Sequence, residues 1–450
     1  MNAATEALEL TVKGALRLGQ TGRVLAGTGV GWLLGDRPPT PQLARRTFER
    51  LGATYIKLGQ FIASSPSMFP DDWVEEFQHC LDRTTPLPWK TVRRALQEEL
   101  GKKLESEFLW VDPEPLAAAS IAQVHAARLK TGEDVVLKVR KPGVEKVIRT
   151  DLNLLHLVAK VIERVTPGAA HASLAAIVEE IQGSMMEECD FVREAANIEA
   201  FRQYLDETLN DLAVAPRVYP ELSTARVLTM ERFFGASLTD PVALKRCTDD
   251  PEGLLVTALN TWFGSLMHCR TFHADLHAGN LMALRDGRIG FIDFGIVGRI
   301  REETWKAMFA LADGLPRGDF KVVAEGLAVM GATKEGVDTA ALAADLEALF
   351  RRLELAPGAA AQPVDRGGGY AARGDDDWGA VYPEEAPDDD DLNRALMDLV
   401  RVGRRHGIRF PREFTLLVKQ FLYFDRYIRM LAPGMALFGD DRLTGLPGPG

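Results

Sequence analysis

The chain has 450 residues, of which 46% are hydrophobic and 26% charged, at a formal net charge of −11. That size accommodates two or three domains, or one two-lobed domain with an extension, and the composition is that of an ordinary globular protein. The acidic balance argues against a nucleic-acid partner, and four scattered cysteines (Cys80, Cys189, Cys247, Cys269) without a CxxC pair argue against a disulfide framework or a zinc site.

Scattered cysteines of this kind fit a reducing cytoplasm. Part of the negative charge is local, in Asp375–Asp377 and Asp388–Asp391. No signal peptide is expected, because Glu6 and Glu9 interrupt the early apolar run. No transmembrane helix is expected either. Residues 24–34 are too short, and residues 414–431 are broken by Lys419, Asp425, Arg426 and Arg429.

Residues 1–35 are helical in period but rich in glycine, suiting a packing helix or one that lies on another surface. A helix is predicted from Leu43 through Gly52 to about Ser64, carrying Lys57-Leu58-Gly59-Gln60. Another follows from Asp71 to about Leu81, with Asp71 and Asp72 complementing its N-terminal dipole. Residues 85–88 break the pattern, and Trp89–Leu100 is helical again.

From Phe108 the apolar period changes to that of strands. Residues 108–113 and 121–128 read as strands flanking the loop Ala117-Ala118-Ala119-Ser120, and residues 135–139 as a third strand carrying Lys138. Three strands, a small-residue loop and a lysine on the third form the plan of a kinase small lobe. A lysine among apolar residues needs a carboxylate partner.

Helices are predicted over 144–165 and 174–204, the second holding Glu188, Asp190 and Glu194. Glu188 and Glu194 are six positions apart, about 240° around one helix, so they cannot share a partner. Residues 214–219 and 225–231, ending on Glu231, read as closing strands of the small lobe, with 233–235 as an apolar hinge for adenine. Helices are expected over 252–271, from Glu302 onward and over 392–432, the last docking on the large lobe. A flexible acidic insertion is expected over 356–391 and a frayed tail over 445–450.

The chemistry concentrates in residues 272–295, where Phe-His-Ala-Asp-Leu-His-Ala-Gly-Asn is followed by an Asp-Gly hairpin and Gly-Phe-Ile-Asp-Phe-Gly. Such a hairpin brings Asp275, Asn280 and Asp293 to one edge. Two carboxylates and an amide suit Mg²⁺ held on nucleotide phosphates, with the other carboxylate orienting or deprotonating an attacking hydroxyl. His-x-Asp or Asp-Phe-Gly alone is weak; together, in order and at this spacing, they point to a nucleotide-phosphate site.

With these pieces placed, the chain resembles the UbiB/ADCK (aarF-type) family of atypical protein-kinase-like proteins over about residues 40–330. Lys57 through Gln60 matches the family's KxGQ signature, Ala117 through Ser120 its alanine-rich loop, Lys138 its nucleotide-binding lysine, and Glu188-Cys189-Asp190 its ExD element. Glu194 matches the helix glutamate that pairs with the lysine, His273 through Asn280 the catalytic loop, and Asp293-Phe294-Gly295 the metal loop.

The resemblance implies an α+β, two-lobed kinase-like fold with an N-terminal helical extension (1–105) and a helical C-terminal block (392–450). Between these lie a small lobe with inserted helices (106–235), a large lobe (236–355) and the acidic insertion (356–391). It also implies ATP or ADP with Mg²⁺, a weak ATPase or a small-molecule or lipid kinase, and a link to isoprenoid-quinone or lipid metabolism. Asp275, Lys57 and Gln60 would then be catalytic, and Asn280 and Asp293 metal ligands. The alanine loop, Lys138, Glu188, Asp190, Glu194 and Glu231 would bind the nucleotide. Partners would be the nucleotide, a lipid or quinone precursor, and a membrane surface contacted peripherally from the cytoplasm.

Two readings compete with this one. An aminoglycoside- or choline-kinase-like phosphotransferase shares H-x-D-x-x-x-x-N, but Lys57–Gln60 and the alanine loop argue against it. A nucleotide-gated binding module would lack turnover altogether. Alanine reaches φ > 0 less readily than glycine, so the loop should hold another shape and favour ATP over ADP poorly.

Overall fold

The computed structural model describes residues 39–63, 71–79, 85–165, 174–269, 271–277, 279–331, 336–354, 391–408, 410–435 and 440–443, with Gly19, Arg23 and Val24 ahead of them. The expectations for residues 1–35 (Gly19, Arg23 and Val24 apart), for 356–390 and for the tail 445–450 lie outside the described residues. The chain divides into two compact units. The first holds Met1–Ile300 and Thr415–Gly448, the second Arg301–Phe414 and Pro449–Gly450.

In the first unit, α1 (Thr40–Leu51) starts with proline in its first turn, where a missing N–H costs nothing. It ends at Gly52, which stands at φ 96° and returns its N–H to Phe48 O (3.1 Å). α2 (Ala53–Ala63) begins at once. The single helix expected over 43–64 is therefore two, because only glycine takes this backbone turn cheaply. α3 (Asp71–Gln78) closes a small core in which Phe77, Ile56 and Ile62 meet Phe48 and Trp73.

After α4 (Trp89–Leu100) and α5 (Lys103–Glu107) come β1 (Phe108–Ala118), β2 (Ala122–Leu129) and β3 (Asp134–Arg140). α4 lays Val92, Ala95, Leu96 and Leu100, one helical stripe, on Val135, Leu137 and Val139 of β3 and their neighbours. Strand alternation then turns Lys138 to the opposite face of the sheet. β1 runs five residues further than expected, so Ala117 and Ala118 are paired strand residues opposite Val124 and Gln123 rather than loop. Pro113 and Pro115 are tolerated because β1 is the sheet edge, and its register shifts around Pro115.

α6 (Val144–Val165) packs Ile148 and Leu152 against Ile181 and Met185 of α7 (Leu174–Glu188). The helix expected over 174–204 is broken at Cys189-Asp190. Asp190 takes extended backbone, accepts the Val192 N–H through Oδ1 (3.0 Å) and caps α8 (Phe191–Glu207).

β4 (Ala213–Val214) corrects another expectation. It pairs in parallel with the strand at residues 289–290 instead of closing the sheet of β1–β3, and of residues 214–219 only Val218 bridges to Met230. β5 (Val227–Glu231) completes that sheet in the order β1-β2-β3-β5. β6 (Gly235–Ser237) follows, and at Gly235 an added Cβ would lie 2.2 Å from Ala283 O, so the strand approaches its neighbour only as glycine.

α9 (Pro241–Leu244) leads to α10 (Pro251–Cys269), β7 (Thr271–His273), β8 (Leu281–Leu284), β9 (Ile289–Phe291) and β10 (Val297–Arg299). β8 and β9 form the expected hairpin in the sheet β4-β9-β8-β6, and β7 pairs with β10. α10 buries Trp262 and Phe263 fully, and the Trp262 indole donates to His273 O at 2.9 Å.

The second unit is helical: α11 (Glu302–Arg317), α12 (Phe320–Gly331), α13 (Thr339–Glu354) and α14 (Asp391–Arg405). α15 (Arg412–Leu431) contributes its residues from Thr415 onward to the first unit, where Phe424 meets Trp262 edge-on at 4.8 Å. Among the described residues no helix is long and apolar enough to cross a membrane.

Candidate active site

Lys138 projects from β3 between two carboxylates. Its Nζ lies 2.7 Å from Glu194 Oε1 and 2.8 Å from Asp293 Oδ1, with the Phe191 ring 5.6 Å away. Glu194 stands in the first turn of α8 and returns its N–H to Asp190 O (3.3 Å), so Asp190 acts here as the cap that fixes Glu194. Burial is the strongest influence on all three groups. It pushes Glu194 up to about 7 against the pull of Lys138. At Asp293 the same burial is outweighed by Lys138, which holds this carboxyl below the usual range. Lys138 itself is desolvated, yet Asp293 and Glu194 keep it protonated.

The two loops are tied together by His273. Its Nδ1 accepts the Asp275 N–H (3.2 Å), so the proton sits on Nε2 and is donated to Ile292 O (3.0 Å). Burial keeps this imidazole neutral by lowering its pKa. Phe294 packs against the His273 ring at 4.8 Å and the Phe201 ring at 5.2 Å, and Asn197 donates to Phe294 O (3.0 Å). Between these anchors Asp293 takes φ 62°, a left-handed conformation costing a non-glycine residue about 1–2 kcal/mol. The strained backbone aims its carboxylate at Lys138.

Asn280 is buried. Its Nδ2 donates to Asp275 O (2.8 Å) and its own carbonyl accepts the Ile292 N–H (3.0 Å). The amide nitrogen is thereby committed, and the amide oxygen is the atom suited to a cation. Asp275 accepts from Lys419 Nζ on α15 at 2.8 Å, and His277 Nε2 lies 4.0 Å from its other oxygen. Burial alone would raise Asp275, but Lys419 and then His277 outweigh it and bring the carboxyl down to about 2.

Lys57 reaches Glu188 at 2.9 Å, while Leu58 and Phe61 of the same helix pack on the cluster holding Ile121 and Ile148. Its charge is also felt at both Asp275 and Asp293. Gln60 lies three residues on, on the same helical face and half-buried. Glu188 and Glu194 thus have separate partners, on two helices rather than around one. In the alanine turn, the Ala119 N–H is spent on Ala122 O (2.9 Å), Ser120 is buried, and none of residues 117–120 is among the described residues at positive φ. Glu231 uses its carboxylate on the Arg217 N–H (3.1 Å), which braces the end of β5.

The helical block expected over 392–432 is two helices, α14 and α15, and the polar residues with which α15 meets the loop were not foreseen. Lys419 was read only as an interruption of an apolar run. The signal available was a polar series, Lys419, Gln420, Tyr423 and Tyr427, at four- and seven-residue spacings along the helix.

The ABC1 atypical kinase-like domain matches residues 79–327. An aarF domain-containing protein kinase of Arabidopsis thaliana, chloroplastic, is 46% identical over 450 residues, covering 96% of this chain and 82% of that one. The chain belongs to the ABC1 (aarF/UbiB) family of atypical kinase-like proteins. UbiB of Pseudomonas paraeruginosa is 29% identical over 398 residues, 88% of this chain and 69% of that one. The solved complex of Rv3197 with erythromycin, from Mycobacterium tuberculosis, aligns over 96% of this chain and 99% of that chain at 22% identity and a TM-score of 0.48. Lys138, Glu194 and Asp293 form one hydrogen-bonded group within the matched residues, and Asp275 and Asn280 lie on the adjoining loop.

Proposed function

We propose that the protein binds ATP and Mg²⁺ and transfers or hydrolyses the terminal phosphoryl group, as an atypical kinase or ATPase acting in isoprenoid-quinone or lipid metabolism. One observation carries this reading: Lys138 is held between Glu194 and Asp293, with Asp275 tied to the same two loops through His273. The arrangement is that of a phosphate-binding lysine poised beside a metal carboxylate.

Among the described residues no cluster of three or more His, Cys, Asp or Glu side chains could hold a metal. A cation would therefore take Asp293, the Asn280 amide oxygen and phosphate oxygens, a donor set that suits Mg²⁺. Bound there, the ion would neutralise charge on the phosphates. Lys138 would hold the phosphates, and Asp293 would exchange part of its contact with Lys138 for the ion. Asp275, kept ionised by Lys419, is a weak proton acceptor, so its work is to orient the attacking hydroxyl or water. The quinone or lipid link comes from the family resemblance.

Nucleotide binding with and without Mg²⁺, followed by ATP hydrolysis with quinone precursors and lipids present, tests the proposal. Asp293→Asn should lose Mg²⁺-dependent nucleotide binding with the fold intact. Unchanged affinity would remove Asp293 as the metal ligand, and Mg-ATP binding without turnover under any condition would leave a nucleotide-gated binding module.

A further inference from the structure

α15 meets the catalytic loop through polar atoms at three consecutive residues. Lys419 Nζ bonds Asp275 Oδ1 at 2.8 Å. Gln420, fully buried, accepts the Leu276 N–H at Oε1 (2.9 Å) and donates from Nε2 to Ala274 O (2.8 Å). The Tyr427 hydroxyl donates to Leu276 O (2.8 Å). Lys419 is itself steadied by the Tyr423 ring, 5.5 Å from its ammonium.

A helix present only for packing would meet this loop through apolar atoms, as Phe424 meets Trp262. Here both backbone groups of Leu276 and the carbonyl of Ala274 take their partners from a helix 144 to 151 positions further along the chain. Buried backbone groups must be paired, so the path of residues 274–276 is set by α15. Because both ends of the Gln420 amide are engaged, it cannot rotate without losing two bonds. Lys419 then fixes one carboxylate oxygen of Asp275, which leaves Oδ2 to meet an incoming hydroxyl.

We infer that Lys419, Gln420 and Tyr427 are positioning residues: α15 is the strut that sets the backbone path of the catalytic loop and the orientation of the Asp275 carboxylate. The inference rests on the reading of Asp275 as the catalytic carboxylate. None of the three needs to touch nucleotide.

The test uses the full chain, with turnover at saturating Mg-ATP, fluorescent-ADP affinity and amide hydrogen exchange measured on Lys419→Met, Lys419→Arg and Tyr427→Phe. Misplacing a catalytic group by about 1 Å can cost roughly 100-fold, so Lys419→Met should lower kcat by ~10- to 100-fold while nucleotide affinity stays within about 2-fold. Lys419→Arg should restore most of the rate, since it can still donate to Oδ1. Tyr427→Phe removes one hydrogen bond and no charge. It should speed amide exchange in residues 271–277 and leave β1–β3 protected.

Equal losses of kcat and affinity in Lys419→Met, no rescue by arginine, or unchanged exchange in 271–277 in both Lys419→Met and Tyr427→Phe would each overturn the strut. If the wild-type chain turns over no ATP, the reading of Asp275 fails, and the exchange measurement still decides whether α15 sets the loop. Should Lys419→Met not fold, Lys419→Arg and Tyr427→Phe carry the same decision.

Discussion

Asp275 shows how one neighbour fixes a residue's state. Its carboxyl is brought to about 2 in the fold against 3.8 as a free side chain. The stability it supplies is therefore present above pH ~4 and lost as pH falls through ~2. At about 1.4 kcal/mol per pH unit that displacement is worth about 2 kcal/mol. Asp275→Asn should cost about that much in denaturant unfolding at pH 7, and the gap from wild type should close toward pH 2. A gap independent of pH would mean that Lys419 does not hold the carboxylate ionised. Asp190 works one step from the chemistry. Asp190→Ala removes the cap of α8 and should cost about 1 kcal/mol in thermal unfolding. It should also weaken nucleotide binding through the looser Glu194, and a cap loss with unchanged binding would confine Asp190 to the helix end.

At the scale of elements, the turn between β1 and β2 spends the Ala119 N–H on Ala122 O, so that donor is not turned toward a phosphate. Ala119→Gly frees the backbone to reach φ > 0 and should raise affinity for ATP relative to ADP. An unchanged ratio in a nucleotide competition assay would mean that the turn does not set nucleotide preference. The same turn shows what was legible from sequence. The three strands, the lysine and the Asp-Gly hairpin were readable because each is written in local period or in a short motif. The breaks at Gly52 and Cys189-Asp190 were less so, since helical apolar period continues across both. β4 was misplaced because two residues carry no pattern able to choose between sheets. Only the tertiary partner, β9, decides.

For the whole molecule, the extension bears on the cleft through α2, whose Lys57–Glu188 pair is mostly buried. Removing one side alone leaves the other charge mostly buried without this counter-charge, so Lys57→Met together with Glu188→Gln is the cleaner unlocking. Release of fluorescent ADP should then quicken. Unchanged release would take α2 out of control of the site. Lys57 and Glu188 each stand in a short motif that the sequence displays; Lys419 does not, and its pairing with Asp275 spans 144 positions. That separation sets a schedule for synthesis. A ribosome adding about 5–20 residues per second needs roughly 7–30 s to pass from Asp275 to Lys419. Until then the loop has its motif but neither the Gln420 nor the Tyr427 bonds, and a nascent chain halted before Thr415 would carry every kinase-like motif with residues 274–276 unbraced.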